Sequence, residues 1–112
     1  MAEIPATLKE ILFAMPDYTN KDAIKNVNKT IQFNFSGEEP GQYYLVVRDG
    51  VATMNDGTAP TADVTIDTPS DVWKSISAGD MNGAVAFMTG KFKASGDITI
   101  LMAMQNWFEI PR

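Results

Sequence analysis

At 112 residues, 45% apolar and 21% charged, the chain has the size and composition of one globular domain, residues 1–112. It holds no cysteine and no histidine, which excludes disulfides, thiolate or imidazole metal ligands and every Ser-His arrangement. Nine basic residues against fourteen acidic ones leave a net charge of −5, and no basic stripe offers the counterion release that nucleic-acid binding requires.

Ile4, Leu8, Ile11 and Leu12 follow helical spacing, and Pro16 ends that helix. Thr19 with Asp22 reads as a capping box for a second short helix carrying Ala23, Ile24 and Val27. The period then changes to two: Ile31, Phe33 and Phe35 alternate with Gln32 and Asn34 in a half-buried strand. Tyr43 to Arg48 is nearly all apolar, so a central strand covered on both faces is expected. Asp49-Gly50 signals a tight hairpin, since glycine takes positive φ at little cost. Val51 to Asn55 returns as a third strand, and Ala62, Val64 and Ile66 alternate in a fourth.

Thr68, Pro69 and Asp71 read as N-cap, first helical residue and capping acid of a helix carrying Val72, Trp73 and Ile76, stopped at Gly79. Asp80 is the expected cap of the next helix, with Met81, Ala84, Val85 and Met88 on one face and Gly90 closing it. Lys91 to Ser95 reads as a fifth strand, and Gly96-Asp97 launches a last helix to Phe108. This order predicts an α+β domain: a five-stranded, mainly antiparallel sheet with helices packed on one face, enclosing an apolar cavity.

The last helix carries the most information. At 100° per residue, Trp107, Ile100, Met104, Phe108, Leu101, Ile98 and Met102 cover an arc of about 220°. An ordinary surface helix needs a stripe little wider than ~100°. The excess calls for a second apolar body: a ligand, a membrane surface or a partner chain. Gln105 falls inside the arc, where a buried amide needs a partner, either backbone and water or a ligand head group. Five of seven methionines lie in the sheet and later helices, where they fill cores or line adaptable apolar sites.

Other candidates carry less. Asp63, Asp67 and Asp71 lack calcium-loop spacing, and Asp71 is explained as a helix cap, so no metal is expected. Lys91 and Lys93 flank Phe92 and leave the strand on one face, either protecting an edge or meeting anionic head groups. No stretch approaches the ~20 apolar residues of a membrane span. The N-terminus does not read as a signal peptide, nor Ile110-Pro111-Arg112 as a peroxisomal signal, so a cytoplasmic protein is expected.

The stretch Ala62-Asp63-Val64-Thr65-Ile66, Ser70-Asp71-Val72, Ile76, Ala78-Gly79, Ala86-Phe87-Met88-Thr89-Gly90-Lys91-Phe92-Lys93, Ser95-Gly96-Asp97, Met102 and Met104-Gln105-Asn106 resembles the signature half of the sterol carrier protein lipid-transfer domain. Gly41-Gln42-Tyr43-Tyr44-Leu45 and Arg48-Asp49-Gly50 resemble that family's second strand and hairpin. The resemblance implies a five-stranded sheet with helices on one side and a lipid tunnel between them. It also implies binding or transfer of sterols, fatty acids, acyl-CoA esters or phospholipids, with no catalytic residue and no cofactor. The family's extended tail and peroxisomal signal have no counterpart here, which makes an acyl chain the expected ligand ahead of a sterol.

The expected lining of that cavity is Phe33, Phe35, Tyr44, Val46, Trp73, Ile76, Met81, Val85, Met88, Leu101, Met102, Gln105 and Phe108. The expected partners are a lipid or acyl chain and, at most transiently, a membrane. The alternative is an accessory domain that uses the same apolar helix face as a protein interface, including a homodimer seam.

Overall fold

The structure, a computed structural model, describes residues 7–108. Five strands form one sheet: β1 (Lys29–Ser36), β2 (Gly41–Arg48), β3 (Val51–Asp56), β4 (Val64–Pro69) and β5 (Lys93–Gly96), in the order β3-β2-β1-β4-β5. Three of the four pairings are antiparallel, and β1 with β4 is parallel. Five short helices are α1 (Leu8–Ala14), α2 (Lys21–Ile24), α3 (Ser70–Ser77), α4 (Gly83–Met88) and α5 (Ile98–Ala103).

Alternation decides the two faces of the sheet. Ile31, Phe33 and Phe35 of β1 share the core side with Leu45 and Val47 of β2, Met54 of β3, and Val64 and Ile66 of β4. The helices cover that side, contributing Leu8, Leu12, Ile24, Trp73, Ala86 and Leu101 to the same core, and the 3-10 turn after α5 adds Met104 and Trp107. Two-residue hairpin geometry between β2 and β3 puts both Asp49 (φ 55°) and Gly50 (φ 77°) in the left-handed region, as the tight turn requires.

Gln32 faces the other way and is nonetheless buried. Its Nε2 donates to the Tyr43 carbonyl at 3.1 Å and the Gly57 carbonyl at 3.2 Å, and its Oε1 accepts the Ala59 amide at 2.8 Å. The β3–β4 connection therefore crosses the outer face of the sheet and is pegged there by one amide. The Asp63 carboxylate, accepting the Thr30 amide at 2.8 Å, fixes the end of that crossing.

Helix boundaries differ from the expected ones where several capping residues compete. The α1 cap is Thr7, whose hydroxyl accepts the Glu10 amide in a capping box; Ile4 lies outside the described residues. Asn20, not Thr19, caps α2 by accepting the amides of Asp22 and Ala23. Thr68 stays in β4 as a buried core-side residue, and Pro69 takes the N-cap position of α3. Asn82, not Asp80, caps α4, which shortens that helix and turns it so that Ala86 is its buried residue.

Candidate functional site

Phe33 and Phe35 stand two residues apart on the core side of β1, with ring centroids 5.9 Å apart and parallel planes. Trp73, projected from α3 one turn after its start, meets Phe33 edge-on at 5.0 Å and Phe35 at 6.5 Å. Phe92 closes on Trp73 from the α4–β5 turn at 6.4 Å, and Phe87 of α4 lies 5.7 Å from Phe92. These rings form a continuous apolar wall between sheet and helices. Trp73 Nε1 is buried there and has no hydrogen-bond partner among the described residues.

A cleft of about 370 Å³ opens where β1 and β4 end, lined by Phe35, Thr68, Pro69 and Phe92 together with the charged Asp67, Lys91 and Lys93. Lys91 is set there by the end of α4. Gly90 (φ 79°) turns the chain so that its amide reaches the Phe87 carbonyl and the Lys91 amide reaches Ala86 at 2.8 Å. A smaller cleft of about 140 Å³ lies between the β1–β2 loop and α3, lined by Glu38, Glu39, Ser70, Asp71 and Lys74.

The expected cavity residues separate into four groups. Phe33, Phe35, Trp73 and Leu101 are buried in the core, and Ile76, Met81 and Phe108 pack against its margin half-buried. Tyr44 and Val46 lie on the opposite face of the sheet, in register with Gln32 and Thr30, so they do not share a cavity with Phe33. Val85, Met88 and Met102 are exposed, by 55%, 76% and 38%. Gln105 is exposed too, within 3.6 Å of the Met102 sulfur. Its expected place in the apolar arc assumed a continuous α-helix. The buried face is narrower than that arc: Ile100, Leu101, Met104 and Trp107 are buried, Met102 is exposed, and Gln105 sits on the exposed Met102 side of a helix that ends in a 3-10 turn at Met104–Asn106.

The sequence reading left out Phe92 and Phe87, both part of the aromatic wall. The signal for Phe92 was present: if Lys91 and Lys93 leave one side of an extended segment, the residue between them points to the other. For Phe87 no comparable signal exists, because its facing depends on where α4 begins.

Three carboxyl groups are perturbed, each by hydrogen bonds it accepts. The Lys74 ammonium (2.8 Å) and the Leu8 amide (2.7 Å) hold the Glu39 carboxyl below its ordinary range. The Thr99 hydroxyl lowers Asp97, the α5 cap, and the Thr7 amide lowers Glu10. Asp63 is engaged by Thr30 and Asp67 by the Asn34 amide, and no metal-competent group of acidic residues occurs among the described residues. The site thus offers apolar and aromatic contact, one unpaired indole N–H, two ammonium groups and the Asp67 carboxylate already hydrogen-bonded to Asn34.

The architecture is that of the sterol carrier proteins. Sterol Carrier Protein 2 from Yarrowia lipolytica, in its apo form, matches with a TM-score of 0.65 at 21% identity, over 89% of this chain and 88% of its own. Palmitated SCP2L2 from Aedes aegypti matches with 0.72 at 18% identity, over 94% and 96%. The sec-alkylsulfatase Pisa1 from Pseudomonas sp. reaches 0.79 at 20% identity, over 95% of this chain but 17% of that one. The model of the SCP-2 sterol transfer family matches residues 8–109, and the chain belongs to that family. Among curated proteins, hydroxysteroid dehydrogenase-like protein 2 from Xenopus tropicalis is 31% identical over 100 residues, 88% of this chain. The chain spans only 24% of that relative's length.

Proposed function

We propose that this chain is a non-catalytic lipid-binding domain that takes an acyl chain against the Phe33–Phe35–Trp73–Phe92 wall and works in the cytoplasm. The observation that carries this reading is the match to a sterol-transfer family along residues 8–109, the stretch that builds sheet, helices and aromatic wall alike. One relative of the same fold is described as palmitated. The chemistry agrees: a wall of rings beside a cleft lined by Lys91, Lys93 and Asp67 suits a hydrocarbon tail with a polar or anionic head. An acyl chain entering between sheet and helices has to displace side chains there, since Phe33, Trp73 and Leu101 are already in contact with the core.

The test is a titration of medium- and long-chain fatty acids, and of their CoA esters, followed by tryptophan emission and calorimetry. Trp73 belongs to the wall, so its emission shifts as a chain enters. Flat emission together with no heat of binding across chain lengths removes the reading.

A second reading is favoured by one specific observation: the matched relative is a much longer protein, of which this chain spans 24%. In that reading the domain is an accessory module, and exposed Met102 of α5 lies in a protein interface. A homodimer or a stable complex that fails to form in Met102→Asp, with no lipid bound, supports it over the first.

A further inference from the structure

The exposed side of α4 joins two features that the aromatic wall does not use. Val85 and Met88, one helical turn apart, are 55% and 76% exposed, while Ala86 between them is fully buried. The helix therefore holds to the domain by a narrow edge and presents apolar side chains outward. Three residues beyond Met88 comes Lys91, then Lys93, both exposed. The ion pairs formed among the described residues, Lys9–Asp56 and Lys74–Glu39, involve neither. The same two lysines line the 370 Å³ cleft together with Asp67.

We propose that α4 and the α4–β5 turn form a docking surface for an anionic lipid bilayer, with Val85 and Met88 entering the interface and Lys91 and Lys93 meeting the head groups. Charge argues for this occupant. The chain carries −5 overall, so most of its surface is repelled by an anionic membrane. At this edge two ammonium groups outside any ion pair among the described residues stand beside an exposed apolar pair. Asp67, which faces Lys93 across the β4–β5 pair and lines the same cleft, already accepts the Asn34 amide. Juxtaposed cations and shallowly inserted apolar side chains are the combination that holds a protein on a bilayer surface without spanning it. Docked this way, the cleft mouth faces the membrane from which a lipid would come. In that respect the inference rests on the lipid-binding reading.

The experiment is vesicle co-sedimentation of the full chain with phosphatidylcholine vesicles, with and without phosphatidylserine, at low and high salt. Binding is expected with phosphatidylserine at low salt and should fall with salt. Lys91→Glu with Lys93→Glu should reduce the partition coefficient about fivefold or more per lysine, and Val85→Asp with Met88→Asp should abolish it. Lys91→Ala with Lys93→Ala gives a milder charge series, and circular dichroism melting shows that each variant folds. Fatty-acid binding in solution should be unchanged in Val85→Asp with Met88→Asp, whose side chains lie outside the lipid site. Its loss in the wild type, with vesicle binding kept, removes the lipid-carrier reading but not the docking surface. No wild-type binding to phosphatidylserine vesicles, or full binding by the Val85→Asp, Met88→Asp variant, overturns the proposal. So does a homodimer that this variant abolishes while vesicle binding stays absent, because the patch is then covered by a second copy.

Discussion

Phe92 meets Trp73 edge-on with ring centroids 6.4 Å apart, and so ties the α4–β5 turn to α3 across the end of the sheet. Phe92 is 4% exposed although exposed lysines stand on either side of it. Truncating a ring buried to this degree costs about 3–5 kcal/mol, and here it also removes the edge that packs the indole. Phe92→Ala should lower stability by that amount in chemical denaturation and shift native Trp73 emission. Emission unchanged in the folded variant, read in a Trp107→Phe background, contradicts this contact.

Glu39 links three elements: its own loop, α3 through Lys74, and the start of α1 through the Leu8 amide. Its carboxyl is held below the ordinary 4.5 by the Lys74 ammonium first and the Leu8 amide second. A group whose folded pKa is depressed adds stability above its unfolded pKa, and that stability disappears as pH falls through the folded value. Glu39→Gln should therefore melt below the wild type at neutral pH, with the gap closing progressively once pH drops below 4.5. Thermal melts from neutral to acid pH check this. A gap constant with pH assigns the loss to packing instead of charge.

Two glutamines should behave in opposite ways. Gln32 is buried and satisfies the Tyr43 and Gly57 carbonyls and the Ala59 amide. Gln32→Leu strands those groups, and a buried unpaired group costs about 1–3 kcal/mol. Gln105 is exposed, and Gln105→Leu should change stability by no more than about 0.5 kcal/mol. Denaturant melts of the pair test the two placements together. A larger loss at Gln105 than at Gln32 contradicts both.

What was legible in the sequence was what period and turn chemistry determine locally. The alternation of Ile31, Phe33 and Phe35, the Asp49-Gly50 hairpin and the stops at Gly79 and Gly90 appear where the residues put them. The face shared by β1 and β2 was not legible, because it depends on the register set by the Gly37–Pro40 connection. A slip of one residue exchanges Tyr44 and Val46 with Leu45 and Val47. The last helix misled for a related reason. Helical spacing carries Gln105 into the apolar arc, but only the Ile100–Leu101–Met104–Trp107 side of that arc is buried, and Gln105 lies with exposed Met102. Cap positions were ambiguous at Thr19 and Asn20, and at Asp80 and Asn82. In each pair both residues are capable caps, and packing of Ile24 and Ala86 decided between them.

The central claim is that the native fold binds an acyl chain, and melting temperature across a delipidation cycle tests it most directly. A ligand bound only by the native state, at a hundredfold excess over Kd, adds about 2.7 kcal/mol, worth roughly 10 °C in a domain of this size. Protein purified gently, stripped exhaustively of lipid and then resupplied with a long-chain fatty acid should lose and regain melting temperature on that scale. Melting that stays unchanged through stripping and resupply, with no lipid extracted from the purified protein, contradicts the account.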